Sequence, residues 1–379
     1  MFEKTKAFCD SLLEAGVPGF DLAVYHRGEC VLRYQNGLRD VENHIPMNGK
    51  ERFNIYSCSK PITCVAALQL WEKGLFSLED KLSDYLPEFA EMTVQTENGI
   101  QSATRPILVQ HLFEMTAGFS YNVHTPHLSQ CKFDTDGRCP TRDAMQYLAK
   151  EPLSFESGTR WQYSLCHDVL AALVEVISGE KFENYVKTHI FDVVGMNDST
   201  FLLPETELDT VSPQYRFVNG DLQNVGKMIG EFKLGSEYAS GGAGCISTVD
   251  DYIKFLEGWR TGAFLKPDTL ALMTTNRLTE PQTHAYTMKD THGYGLGVRC
   301  SKGIAGFEDF GWGGAAGSWL AIDQKRELSL FLGMHLLSSP VQGVRSMLYR
   351  AVRADLFYPD EWDEITTRLQ QLYHYDLTY

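Results

Sequence analysis

Three short stretches of the chain hold residues whose types and spacing can do chemistry. Ser57-Cys58-Ser59-Lys60 stands directly before the apolar run PITCVAALQLW. At a helix start, residues three apart share a face, so the Ser57 hydroxyl and the Lys60 amine come within mutual reach, and a lysine so placed can activate a serine as a nucleophile. Pro61 lacks the N–H that would bond the Ser57 carbonyl four residues back, which places Ser57 in the first turn. There the positive helix end and desolvation both push the Lys60 amine toward its neutral, proton-accepting form. The string by itself is common, since Ser129–Lys132 and Ser178–Lys181 also match. The former lies in an aperiodic stretch, and Ser178-Gly179 closes a helical pattern rather than opening one, so only Ser57 precedes a buried helix. Cys58, two residues from Lys60, points away from it on a helix.

The second stretch is Trp161-Gln162-Tyr163-Ser164-Leu165, at the entrance to LCHDVLAALVEVIS. A tyrosine there is ordinarily a packed aromatic; beside an ammonium group its phenol can also take the proton of Ser57. The third is Gly311-Trp312-Gly313-Gly314-Ala315, between two short apolar runs. Glycines at a strand edge commonly mark a bulge, and they also let a ligand approach the backbone. The N–H of Ala315 can then join that of Ser57 in holding a developing oxyanion.

The elements that must position these residues can be read from periodicity. Residues 3–15 alternate as an amphipathic helix, and GFDLAVYHRGECVLRYQNG reads as a hairpin broken at Arg27-Gly28. Helical patterns follow at Pro61–Lys73, Leu82–Phe89, Val109–Met115, Asp143–Lys150, Leu165–Ile177 and Phe182–Phe191. YGLGVRC, IAGFEDFGW, GSWLAID and ELSLFLGMHL then return to strands. Strands at both ends of the chain imply an α/β (α+β) fold, with a mainly antiparallel sheet flanked by helices and a mostly helical subdomain. The expected division of a single catalytic unit is 1–50 plus 241–379 for the sheet-containing part and 51–240 for the helical part. The polar, aperiodic stretch 121–142 reads as a long loop beside the site.

Composition narrows the classes. In 379 residues, hydrophobic residues at 43% and charged residues at 22% describe a globular chain. With 34 basic against 49 acidic residues the net charge is −15, which disfavours nucleic acid and anionic lipid as partners; a small-molecule partner is expected. Nine scattered cysteines without metal-ligand spacing read as reduced thiols, and no export signal or membrane-length apolar run is visible, so a cytoplasmic location is expected. No metal or nucleotide motif is present; His124 and His127 fit no metal signature, and no cofactor is expected. Oligomeric state is not legible.

SCSKPIT, WQYS and GWGGAAG, in that order, resemble the three motifs of the serine β-lactamase and penicillin-recognising superfamily, most closely its class C-like esterase branch. ILVQHLFEMTAGFS, SGGAGCISTVDDYIKF and HGYGLGV are similar to supporting segments of that family, and the likeness runs from about Gly19 to beyond residue 350. The resemblance implies a β-lactamase/transpeptidase-like fold, Ser57 as acylated nucleophile, Lys60 as its proton partner, Tyr163 as base, and Ala315, after Trp312-Gly313-Gly314, as second oxyanion donor. Leu165 stands where the family has a substrate-binding Asn, and Trp312 where β-lactamases carry a cation or His. Both departures remove polar recognition of a β-lactam or acyl-amino acid, so a carboxylic ester of a less polar acid fits better. The alternatives are β-lactamase or D-alanyl-D-alanine carboxypeptidase action, acyl transfer to an alcohol or amine, and a non-catalytic penicillin-binding-like module.

Overall fold

The computed structural model describes residues 2–227, 230 and 232–359. Its centre is an eight-stranded antiparallel sheet drawn from both ends of the chain. The spatial order is His292–Tyr294, Arg299–Ser301, Phe310–Gly313, Trp319–Asp323, Leu328–Met334, Gly19–His26, Glu29–Asp40 and Ile45–Pro46. The Gly19–His26 strand sits between Leu328–Met334, with Phe20 opposite Met334, and its hairpin partner Glu29–Asp40. The hairpin turns where expected, because Arg27 and Gly28 both take positive φ (54° and 83°), the twist that matches two right-twisted strands.

Side chains alternate across a strand, and the two faces of the sheet are buried against different helices. Leu22, Val24, Leu330 and Leu332 pack with Phe8, Leu12, Leu348 and Val352 from the helices Glu3–Glu14 and Met347–Leu356. Ala23 and Phe331 face the opposite core with Tyr252 and Leu256 of the Val249–Thr261 helix. Burial on both sides explains why GFDLAV carries so little polar alternation.

That second core continues into the helices that hold the site. Ser59–Glu72 packs along Cys166–Ser178, and both are buried over most of their length. The region also contains short strand pairs, Phe53–Asn54 with Ile246–Ser247 and Thr93–Thr96 with Gly99–Ser102.

Three expectations need correction. Residues 121–142 are not one long loop: Pro126–Asp134 is a helix capped by Thr125, whose hydroxyl accepts from the Leu128 N–H at 3.3 Å. Only Leu128 and Cys131 of that helix are buried, too few positions to show a period, and Phe133 is exposed. Leu82–Phe89 is not one helix but two single turns, Leu82–Asp84 and Pro87–Phe89, because the residue before a proline leaves the helical region and Leu86 sits at φ −125°, ψ 82°. Ser57 lies not in the first α-turn but in a tighter 3₁₀ turn, Tyr56–Cys58, that leads into it.

Candidate active site

Each chemically distinctive side chain is placed by a local feature of the fold. Tyr56, immediately before Ser57, has φ +47°, a strained value for a residue with a large side chain, of a kind that costs roughly 1–3 kcal/mol. It is held by complete burial, by a 3.2 Å hydrogen bond from its hydroxyl to Gln214 Oε1, and by edge-on packing with Phe232. Lys60 follows one turn later on the buried helix. Tyr163 lies on the extended segment before Cys166–Ser178, tied down by bonds from Gln162 N to Met115 O (2.9 Å) and from Leu165 N to Ser120 O (3.2 Å).

These elements bring the Tyr163 phenol oxygen to 2.5 Å from Ser57 Oγ and the Lys60 Nζ to 3.3 Å from the same atom. Lys60 also donates to the Gly242 carbonyl at 2.7 Å and to the Tyr121 hydroxyl at 3.2 Å, and its ammonium lies 4.6 Å from the Tyr163 ring centre. Tyr163 is sandwiched between Tyr121 and Trp312, with ring centres at 5.1 and 5.8 Å, and Trp312 Nε1 donates to the Tyr163 hydroxyl at 3.3 Å. A cavity of about 400 Å³ opens over this group, with Ser57, Tyr163, Trp312, Gly313, Gly314 and Ala315 in its wall. Gly314 must be glycine, since a Cβ there would stand 2.3 Å from the carbonyl of Ile55, two residues before Ser57. Its close approach seats the Phe310–Gly313 strand end beside the serine turn.

The electrostatics correct one expectation. Burial pulls the Lys60 amine down, but Tyr121, Tyr163 and Asp168 outweigh it, and the amine ends above its ordinary range. This direction favours the ammonium form of Lys60 over the neutral form expected from helix position and burial. Tyr121, half-buried beside it, is raised by burial against the opposing pull of Lys60.

Leu165 is not part of the cavity wall. It precedes the Cys166–Ser178 helix with its side chain 2% exposed in the apolar core. Polar contact with Lys60 comes instead from Tyr121 and Gly242, neither of which the motif spacing singled out. Gly242 is placed by Asp168, whose carboxylate accepts from Ser240 Oγ at 2.6 Å and the Tyr238 hydroxyl at 2.8 Å. A Cβ on Gly242 would lie 2.5 Å from Asp168 Oδ2. Glycines within SGGAG were a signal for this turn; Tyr121 gave none, lying in a stretch without a period. His127 pairs with Glu151 at 2.8 Å, and among the described residues no cluster of three or more His, Cys, Asp or Glu could hold a metal. All nine cysteines are unpaired and only Cys30 is exposed.

The family profile described as Beta-lactamase matches residues 5–353. The chain belongs to the beta-lactamase family. Among its relatives, the esterase EstB of Burkholderia gladioli is 28% identical over 384 residues, covering 91% of this chain and 92% of that protein. A lovastatin esterase of Penicillium rubens is 28% identical over 314 residues, covering 72% and 76%. Of solved structures, EstCE1, described as a hydrolase with promiscuous acyltransferase activity, superimposes with a TM-score of 0.76 at 23% identity over 92% of this chain and 97% of its own. The beta-lactamase/transpeptidase-like fold and membership in a family of serine hydrolases are thus established. No helix among the described residues is long and apolar enough to cross a membrane.

Proposed function

We propose that this beta-lactamase-family protein is a serine esterase that works through a Ser57 acyl-enzyme. The observation that carries the reading is the convergence on Ser57 Oγ of the Tyr163 oxygen at 2.5 Å and the Lys60 ammonium at 3.3 Å, at the floor of an open cavity. Tyr163 is the base that takes the proton of Ser57 while Oγ attacks the ester carbonyl, and the Lys60 ammonium balances the charge that moves between the two oxygens. The N–H groups of Ser57 and Ala315 receive the oxyanion. Collapse of the tetrahedral intermediate expels the alcohol, which leaves with the proton held by Tyr163; water then repeats the sequence on the acyl group and frees Ser57.

The substrate side rests on the wall of the cavity. Trp161, Trp312, Trp319 and Met288 line it, surfaces suited to a less polar acyl or alcohol part, and the esterases among the relatives support the same preference. Acyl transfer is the second reading, favoured by the structural neighbour with acyltransferase activity; it requires only that an alcohol reach the acyl-enzyme before water. The unpaired cysteines support a reducing compartment such as the cytoplasm, and the charge of −15 supports a small-molecule rather than a polyanionic partner.

Ser57→Ala is expected to abolish labelling by a fluorophosphonate and to lower p-nitrophenyl ester turnover by roughly 10³-fold or more. Unchanged turnover would remove Ser57 from the reaction. Rapid hydrolysis of nitrocefin by the parent protein would instead move the substrate class to β-lactams.

A further inference from the structure

One buried cation in the cavity wall has no part in the mechanism above. Arg345, 8% exposed, stands just before the Met347–Leu356 helix, and its guanidinium packs over Trp319 with 5.6 Å between guanidinium carbon and ring centre. Its Nη1 donates to Gly314 O at 2.6 Å and to Ser318 O at 3.1 Å, and its Nε to Gln342 O at 3.4 Å. Every one of these acceptors is a backbone carbonyl; among the described residues no carboxylate pairs with it. Burial pulls this guanidinium down to about 10, with Cys58 and Tyr163 opposing, so a charge with no carboxylate partner among the described residues is kept in place by carbonyl dipoles.

The identity of the first acceptor matters. Gly314 O and Ala315 N belong to one peptide unit, and no cis peptide occurs among the described residues. In a planar trans unit the C=O and N–H point in opposite directions, so whatever fixes the carbonyl aims the N–H. Gly314 O also receives the Gly317 N–H at 3.2 Å, the Gly314 N–H donates to Ser318 O at 2.7 Å, and Gly314 Cα is packed against Ile55 O. The following peptide is tied as well, by Gln342 Nε2 to Ala315 O at 3.3 Å.

We infer that Arg345 is a positioning residue for acyl transfer: by holding the Gly314 carbonyl it fixes and polarises the Gly314–Ala315 peptide, so that the Ala315 N–H is set for the oxyanion formed on Ser57 attack. The inference rests on the esterase reading and extends it to a residue that never touches the reacting atoms. A charged donor on the carbonyl draws electron density from the amide and strengthens its N–H as a donor, an effect that grows where water is excluded. Because the oxyanion exists only in and around the transition state, loss of this alignment lowers kcat and leaves ground-state binding largely alone.

Arg345→Met keeps the length of the side chain and removes its donors, and Arg345→Lys keeps a charge with a shorter, single-point donor. With p-nitrophenyl butyrate as substrate, Arg345→Met is expected to lose roughly 10–100-fold in kcat, less than outright removal of an oxyanion donor, with KM within about twofold of the parent. Arg345→Lys should lie between the two, and millimolar guanidinium should raise kcat of Arg345→Ala but not of the parent. Parent-like kcat in Arg345→Met, or a loss confined to KM, would overturn the inference while leaving the esterase reading intact. If Arg345→Met does not fold, a folded Arg345→Lys with parent-like kcat overturns it equally. Retained turnover in a parallel Ser57→Ala sample overturns both.

Discussion

At the scale of single residues, the proposed mechanism divides the work between an oxygen that moves a proton and a nitrogen that does not. Tyr163→Phe keeps the ring stack between Tyr121 and Trp312 but deletes the oxygen 2.5 Å from Ser57. It should lower kcat by roughly 10²–10⁴-fold with little change in melting temperature, measured by ester turnover beside a thermal melt. Tyr121→Phe removes only the hydroxyl that receives Lys60 at 3.2 Å and should cost far less. The raised value of Lys60 fixes the sign of its pH dependence. A folded-state value above the ordinary 10.5 means the ammonium contributes stability fully below that pH and loses it only as pH rises further. No loss of activity from Lys60 deprotonation is therefore expected between about pH 7 and 9 in a kcat profile. The charge state itself was not legible in the sequence: helix position and burial favour a neutral amine, whereas Tyr121, Tyr163 and Asp168 outweigh them only once the fold brings them together.

At the scale of elements, the serine turn and the glycine-rich strand end depend on each other through one close contact. Gly314→Ala would drive a Cβ to 2.3 Å from Ile55 O, so the strand end or the serine turn must shift. Overpacking of this kind costs about 1–3 kcal/mol, and the same shift would displace the proposed Ala315 N–H donor. A lower melting temperature together with a fall in kcat is expected; an unchanged kcat would mean that the strand end plays no part in catalysis. The Val249–Thr261 helix offers a contrast. Thr248 caps it by accepting from the Asp251 N–H at 3.1 Å and is not among the residues lining the site cavity. Thr248→Ala should cost about 1 kcal/mol in denaturant unfolding with parent-like turnover. The ends of such elements are legible in a sequence when the signal is local, as at Pro61 and at Arg27-Gly28. They are not when a helix buries two residues, as at Pro126–Asp134.

At the scale of the whole molecule, burial of several imidazoles makes stability depend on pH. Burial pulls both His111 and His335 down to about 4, and His167 well below its usual value. Between about pH 6.5 and 4 the unfolded chain binds protons that the folded one does not, so stability falls as the solution is acidified through that window. For His111 and His335 the loss is on the order of 3 kcal/mol each. Thermal melts at pH 7 and pH 4.5 measure it. His335→Gln, which removes the ring bonded to Pro213 O at 2.8 Å, should be less stable at pH 7 yet show a flatter dependence on pH.

The amino-acid order by itself determined the strands at both ends, the buried helix after Pro61, and the three stretches around Ser57, Tyr163 and Ala315. Turn chemistry, helix period and strand alternation act over a few residues, so they are written in short windows. Only the tertiary structure decided which groups surround Lys60 and what its charge is, that Leu165 belongs to the core, and that Arg345 lies behind the Gly314 carbonyl. The contacts of Lys60 with Tyr121 and Gly242 join residues 61 and 182 positions apart, and that of Arg345 with Gly314 spans 31. Separations of that size are set by how helices and sheet pack, and the electrostatics follow from burial that no local pattern contains.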